Sequence, residues 1–392
     1  MGEPSPLDGI VVVSLEQAVA APFCSSRLAD AGARVIKVER PEGDFARGYD
    51  DVAAGQSSYF VWLNRGKESV VLDLTSPSGK EALRGLLSTA DVLIQNLKPG
   101  AMRRLGFSTE SLHLSLPQLI ICSISGYGES GPLADRKAYD LLIQAESGLS
   151  SITGGPAEPA RVGISMVDIA AGITAYSAVL EALILRSKSG HGCEVHVSMF
   201  DVMADWLTVP LLHQEAGKTP RRLGLAHPSI APYGVFGTKD GKTVLISIQS
   251  DREWVAFCGG FLKSPAVAQD PRFRTNVDRV RNRSETDRVV GSAVAEMDLA
   301  DVRTSLERAD VAFSSVNDMA DLSGHPHLRR IAVETPNGPV SYPAPAPIFK
   351  NMSRSYGAVP SLGEHTPLTV DAQRQTITGS PERATRRKPS DA

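Results

Sequence analysis

The chain has 392 residues, 42% of them hydrophobic and 22% charged, with a formal net charge of −3. The length suits two domains, and the composition is that of an ordinary soluble protein able to build a full core. A charge this close to balance gives no electrostatic footprint for nucleic acid or a membrane surface. The stretch MGEPSPLDG shows neither a basic nor an apolar signal-peptide region, so no signal peptide is expected. No apolar run reads as reaching membrane-spanning length. Cys24, Cys122, Cys193 and Cys258 form no CxxC pair and no zinc spacing. Reduced, mostly buried thiols in a cytoplasmic protein are expected.

In chain order, Ile10 to Ser14 reads as a short buried strand. Pro22 to Ala31 reads as a helix, with Pro in its first turn and Gly32 at its stop. Strands are expected at Val35 to Val38, Val70 to Leu74, Asp91 to Asn96 and Leu119 to Ser125, with a helix opening at Ser76-Pro77 and running to about Thr89. A long apolar helix runs from Ile169 to about Arg186, then comes a strand from Cys193 to Ser198 and a helix opening at Met199. Strands alternating with helices predict βαβ units and a parallel sheet covered on both faces. From Val235 to Ile248 an antiparallel hairpin turns at Lys239-Asp240-Gly241-Lys242. Helical patterns follow near Asp251 to Leu262 and Ser284 to Arg308, and Asn337-Gly338 marks one more hairpin, placed back on the large domain. The polar, basic tail from about Gln373 reads as disordered.

Ligands of such a sheet lie beyond the strand C-termini. There the chain carries Glu39, Arg40 and Arg47, then Asn96, Lys98, Arg103 and Arg104, then Gly126-Tyr127-Gly128 and Lys137. Cationic and amide groups in these places suit a phosphate-bearing ligand as well as a solvated surface. GxGxxG and GxxxxGK[ST] are absent, which argues against a standard dinucleotide or nucleoside-triphosphate site. The nucleophile elbow GxSxG is absent too, since Val167 replaces the last Gly of Gly163-Ile164-Ser165. No HExxH or HxH pair points to a metal. Asp168 is a lone acidic residue in a long apolar or small-residue stretch, just before the helix pattern of Ile169. It can be the N-cap of that helix or a reactive carboxylate held at a helix N-terminus.

Several segments taken together resemble the class III CoA-transferase family, which also contains the α-methylacyl-CoA racemases. They are PLDGIVVVSLEQAVAAPFCSSRLADAGARVIKVERPEGD, NRGKESVVLDL, ADVLIQNLKPGAMRRLGF, SGYGESGP, VDIAAGITAYSAVLEAL and GCEVHVSMFD. The resemblance implies an α/β fold: a Rossmann-like large domain with a parallel sheet, plus a smaller α/β domain, in an interlocked homodimer. The corresponding map is a large domain at 1–205, a linker at 206–225, a small domain at 226–325, a return to the large domain at 326–372 and a disordered tail at 373–392. The Asp of the family's VDxxAG motif is the nucleophile and maps onto Asp168. Coenzyme A lies against residues that map onto Arg40, Leu72, Asn96, Leu97, Arg104, Lys137 and Tyr139, with Met199 close by. The turn near the thioester maps onto Ala18-Val19-Ala20.

Two departures bear on the substrate. Val19 stands where oxalate-using members have Gln, and the glycine-rich flap is replaced by His227 to Tyr233. Gln17, Arg47, Arg222 and His227 are the candidates for contact with the acid. Racemases of the family have a His where this chain has Tyr139, and tyrosine, with a pKa near ~10, is a poor acid/base at neutral pH. The resemblance therefore implies a transferase moving CoA between an acyl-CoA and a small dicarboxylate of the itaconate, mesaconate, citramalate or succinate type. The steps would be an Asp168 anhydride and an aspartyl-CoA thioester. A racemase and a non-catalytic CoA-binding protein are the alternatives. No metal and no tightly bound cofactor are expected, coenzyme A being a substrate, and neither nucleic acid nor membrane is an expected partner.

Overall fold

The five strands expected in the first half of the chain and the strand expected at Cys193 to Ser198 come together as one sheet in a computed structural model of the protein, which describes residues 5–366. They are β1 (Val11–Leu15), β2 (Arg34–Glu39), β3 (Lys67–Val71), β4 (Val92–Gln95), β5 (Ile120–Ser125) and β6 (Glu194–Ser198). All neighbours are parallel, in the order β3-β2-β1-β4-β5-β6. This is the doubly wound order, which reverses between β1 and β4, and ligands bind where the order reverses. β3 starts at Lys67 instead of Val70, because the Lys67 ammonium is buried on Glu16, while Leu72 lies past the ladder.

One face of the sheet packs Val13, Ile36, Val70 and Leu93 against Leu83, Leu86 and Leu87 of the helix Pro77–Leu87. The long helix is Met166–Ser189, and it packs extensively on the helix Ala20–Asp30. Gly172 permits this. A Cβ there would come within 2.6 Å of the Ala20 carbonyl oxygen and 2.8 Å of the Phe23 Cβ. By length and composition this helix could cross a membrane, which corrects the expectation that no run reaches that length. Asp168 and Glu181 interrupt the apolar run and hide it from a simple reading of the chain. The helix buries Val167, Ala170, Ala171, Ala175 and Val179 and leaves Ile173, Ile184 and Leu185 exposed.

The chain divides into two units. The first holds the described residues up to Ser147, Gly163–Trp206 and those from Arg329 on, including the returning hairpin Arg330–Val333/Val340–Pro343. The second holds Gly148–Val162 and Leu207–Leu328. Its sheet is antiparallel, in the order β7 (Tyr233–Gly237), β8 (Thr243–Ser247), β9 (Ala312–Ser314), over a core of Trp254, Phe257, Val290, Val294, Val302 and Leu306.

Three features differ from the sequence map. Residues 148–162 belong to the second unit, where the Arg222 side chain binds the carbonyls of Ser151, Gly155 and Pro156 and Gly224 N–H donates to Gly154. The expected linker 206–225 contains the helix Thr208–Glu215. The single helical pattern of 284–308 is two helices, Arg283–Ala295 and Leu299–Arg308, parted at Glu296 to Asp298. The expected disordered tail at 373–392 lies outside the described residues.

Candidate active site

The turn after β1 is held in a strained conformation. Ala18 has φ of +62°, a left-handed conformation that a residue with a Cβ adopts at a cost. Two side chains hold it there. Asn96, just past β4, accepts from Gln17 N–H at 2.9 Å and donates to the Gln17 carbonyl at 2.9 Å. Asp44 Oδ1 accepts from Ala18 N–H at 3.1 Å, and Oδ2 pairs with buried Lys37 at 2.8 Å. Behind the turn, Glu16 is fully enclosed with Lys67 at 2.6 Å and Lys37 at 3.4 Å. Burial alone would push the Glu16 carboxyl up; the Lys67 and Lys37 ammoniums overcome it and hold it at about 2. Four buried charges of balanced sign thus fix the switch point of the sheet.

A cavity of about 520 Å³ opens at the carboxyl ends of β1, β2 and β3. Gln17, Arg40, Leu72 and Leu97, four of the residues picked out from the sequence, line it together. Arg40 is exposed, and its Nε donates to the Gly43 carbonyl at 2.9 Å. Arg104 lines a second cavity of about 530 Å³ with Lys98 and Arg103. Asn96 contacts the turn, as described. Val19 and Met199 are buried, and Lys137 is exposed.

Asp168 is not an N-cap. The helix begins one turn earlier, with Ser165 as its cap, so Asp168 falls in the first turn. The helix N–H groups expected to compensate its charge are engaged elsewhere. Asp140 Oδ1 accepts from Val167 N–H at 2.7 Å and from Asp168 N–H at 3.2 Å. Among the described residues none donates a hydrogen bond to the half-buried Asp168 carboxylate. Burial, with the Asp140 charge adding to it, pushes the carboxyl up to about 7. Tyr139 is the N-cap of the Asp140–Glu146 helix, and its side chain is 60% exposed. Burial first, then the charges of Asp44 and Asp168, push the Tyr49 hydroxyl up to about 12. Tyr49 packs edge-on against Tyr59, whose hydroxyl lies 3.4 Å from Ser165 Oγ.

The four residues offered for acid binding have varied surroundings. Arg47 is bidentate on Glu39, at 2.7 and 2.9 Å, and lies over the Phe60 ring at 3.7 Å. A substrate carboxylate there would have to displace Glu39, so Arg47 is better placed as a structural cation. Arg222 and His227 lie in the second unit. Arg222 is occupied by the three carbonyls named above. His227 stacks on Tyr233 at 5.3 Å and accepts from Ser229 N–H, and burial with the nearby Arg283 pulls its pKa down. Sequence reasoning passed over Asp44, Asp140, Tyr49 and Tyr59. Asp44 stands in the charged, turn-rich stretch Glu39 to Arg47, where nothing singles it out from its neighbours, and Tyr59 follows a Ser pair without a motif, whereas Asp140 adjoins the weighed Tyr139.

A doubly wound parallel sheet with a cavity at its carboxyl edge places the protein among the α/β proteins whose ligands bind where the strand order reverses. The chain belongs to CoA-transferase family III, which it matches over residues 7–366, and is a CoA-transferase working on acyl-CoA and acid substrates. It is 36% identical over 388 residues to a succinate–glutarate CoA-transferase of Agrobacterium fabrum, covering 95% of this chain and 96% of that one. It is 38% identical over 325 residues to an acetyl-CoA:oxalate CoA-transferase of Acetobacter aceti, covering 82% and 83%. The crystal structure of a CaiB/BaiF family protein from Brucella suis superposes with a TM-score of 0.79 at 34% identity, covering 95% of this chain and 100% of that chain.

Proposed function

We propose that the protein moves CoA from an acyl-CoA to a free dicarboxylic acid, with Asp168 as the nucleophile. The observation that carries the nucleophile is a half-buried carboxyl raised to about 7 with no donor on it among the described residues. The dicarboxylate rests on relatives named for succinate, glutarate and oxalate.

In the first step the ionised Asp168 attacks the thioester carbonyl, the C–S bond breaks, and CoA leaves as thiolate. Asp168 is then a mixed anhydride with the donor acyl group. The thiolate attacks the Asp168 carbonyl, forming an aspartyl-CoA thioester and releasing the donor acid as carboxylate. The acceptor carboxylate attacks that thioester, again expelling CoA thiolate, and makes a second anhydride. Thiolate attack on the acceptor acyl carbon gives the new acyl-CoA and restores the Asp168 carboxylate. No net proton or electron is needed, so neither a metal nor a redox cofactor is required. The 520 Å³ cavity is where we place the nucleotide end of CoA, against Arg40, Leu72 and Leu97. The strained turn at Ala18 would lie by the thioester.

We infer a homodimer from exposed apolar residues in each unit: Ile173, Ile184 and Leu185 in the first, Val209, Leu211 and Leu212 in the second. The four unpaired cysteines, three of them buried, fit a reducing cytoplasm. The test is mass spectrometry of Asp168 after incubation with acyl-CoA, run with a screen of donor thioesters against dicarboxylate acceptors. A CoA adduct on Asp168 that disappears on adding the acceptor is expected. Transfer without any adduct on Asp168 would overturn the assignment.

A further inference from the structure

The N-terminus of the Met166–Ser189 helix is capped by a side chain from another helix. Ser165, the residue in the capping position, makes no side-chain cap bond. Asp140 of the helix Asp140–Glu146 supplies the acceptor instead, through Oδ1 to the second and third N–H groups of the long helix at 2.7 and 3.2 Å. Its other oxygen is fixed by the Gln144 side-chain amide, which is buried and donates at 2.6 Å. An acid in a first turn ordinarily gains from such N–H groups and from the helix dipole. At Asp168 two of those N–H groups, its own and that of Val167, are already held by an anion, and Met166 N–H donates to the Ile164 carbonyl.

We propose that Asp140 is a positioning residue for Asp168, occupying the helix N–H groups so that the nucleophile's carboxylate stays unbonded and basic. The inference rests on the reading of Asp168 as nucleophile. A carboxylate whose lone pairs are free and whose charge is opposed by a neighbour attacks a carbonyl more readily than one bound to N–H groups, since nucleophilicity rises with basicity. Burial is the larger cause of the raised Asp168 pKa, and the Asp140 charge adds to it, in keeping with this geometry. Among the described residues, Tyr139 stands before Asp140, Tyr59 reaches this end of the helix through Ser165, and Tyr49 faces it with Asp44 behind, pushed up to about 12 by burial first and then by the charges of Asp44 and Asp168.

Asp140→Asn separates charge from shape. Its amide oxygen can accept from the same two N–H groups, while Gln144 turns its amide to match. Two readings are taken on the full-length protein: the pH dependence of adduct formation on Asp168 with acyl-CoA, and the titration of the Asp168 carboxyl carbon by ¹³C NMR, assigned by its loss in Asp168→Ala. Asp140→Asn is expected to lower both midpoints by about one pH unit while melting as the parent does near pH 4, where the folded Asp168 carboxyl is protonated in both proteins. Asp140→Ala, which removes the cap as well, is expected also to slow adduct formation about tenfold at pH values above its midpoint. A helix-capping role alone predicts an unmoved midpoint in Asp140→Asn, and that result overturns the proposal. If the unaltered protein forms no adduct, the nucleophile reading fails, and the NMR midpoint still reports whether Asp140 sets the ionisation of Asp168.

Discussion

Asp168 faces opposite demands from folding and from chemistry. Its pKa is about 7 in the fold against an ordinary value of 3.8, so on raising the pH the unfolded chain loses the proton first. Between about pH 4 and pH 7 the folded state binds more protons than the unfolded one, and stability falls as pH rises through that window. The cost above the window is on the order of 2–4 kcal/mol. Freshly prepared Asp168→Asn should therefore melt above the parent at pH 8, with the gap closing toward pH 4, while transfer activity is lost. A calorimetric pH series checks this, and a gap independent of pH would mean the carboxyl is not so tuned. Arg40 gives a second expectation. Arg40→Ala should weaken kcat/KM for acyl-CoA by roughly 1.5–3 kcal/mol if a charged hydrogen bond to phosphate is lost, with a smaller effect on a pantetheine thioester. Equal losses on both substrates would make Arg40 structural. Asp168 stood out in the sequence because it is the one charged residue between Arg161 and Glu181. Asp140 did not, because its bond to the long helix joins residues 27 apart in the chain and leaves no local pattern. Arg47 was legible as a cation at a strand end, but nothing in the sequence showed that Glu39 already takes its charge.

Among elements, the contact between the helices Ala20–Asp30 and Met166–Ser189 sets where Asp168 stands relative to the turn at Ala18. Gly172 is the point of closest approach. Replacing a helical glycine by alanine ordinarily stabilises by about 1 kcal/mol. Here the added methyl meets backbone at 2.6 Å, and Gly172→Ala should instead destabilise by about 1–3 kcal/mol and, if Asp168 is the nucleophile as proposed, lower kcat by displacing it from the turn. Urea melts with parallel kinetics measure both, and a stabilised, fully active variant would refute the packing argument. The alternation of strands and helices was readable because β1, β4 and β5 are runs of mostly branched apolar residues, while β3 and β6 carry enough of them, at Val70-Val71 and at Val195 and Val197, to be seen. The short helices Ser58–Asn64, Ala101–Leu105 and Asp140–Glu146 were not anticipated, since helices of five to seven residues give too few turns for a periodic signal. The strain at Ala18 was invisible for another reason. An alanine carries no mark of a positive φ, and its holding groups, Asn96 and Asp44, come from other strand ends.

For the molecule as a whole, the family contains both transferases and racemases, and fold does not separate them. The site residues do. Racemisation needs two groups that exchange protons near neutral pH, one on each side of the α-carbon, whereas CoA transfer needs one nucleophile and a route for the thiolate. Asp168, at about 7, could serve either chemistry. The position that would supply the second proton-transfer group holds Tyr139, a mostly exposed phenol. Its neighbour Tyr49 is pushed up to about 12 by burial first and then by the charges of Asp44 and Asp168. Such a phenol is a poor proton-transfer partner at neutral pH, as phenols are in general beside histidine. The protein should therefore not exchange the α-proton of a 2-methylacyl-CoA in deuterated water at a useful rate. It should move CoA to a free dicarboxylate, with the label from an ¹⁸O-labelled acceptor carboxylate passing in part to Asp168. Rapid deuterium incorporation without any acceptor acid would displace transfer in favour of racemisation. Oxygen label reaching the Asp168 peptide would confirm that the carboxylate itself forms and breaks the acyl bond.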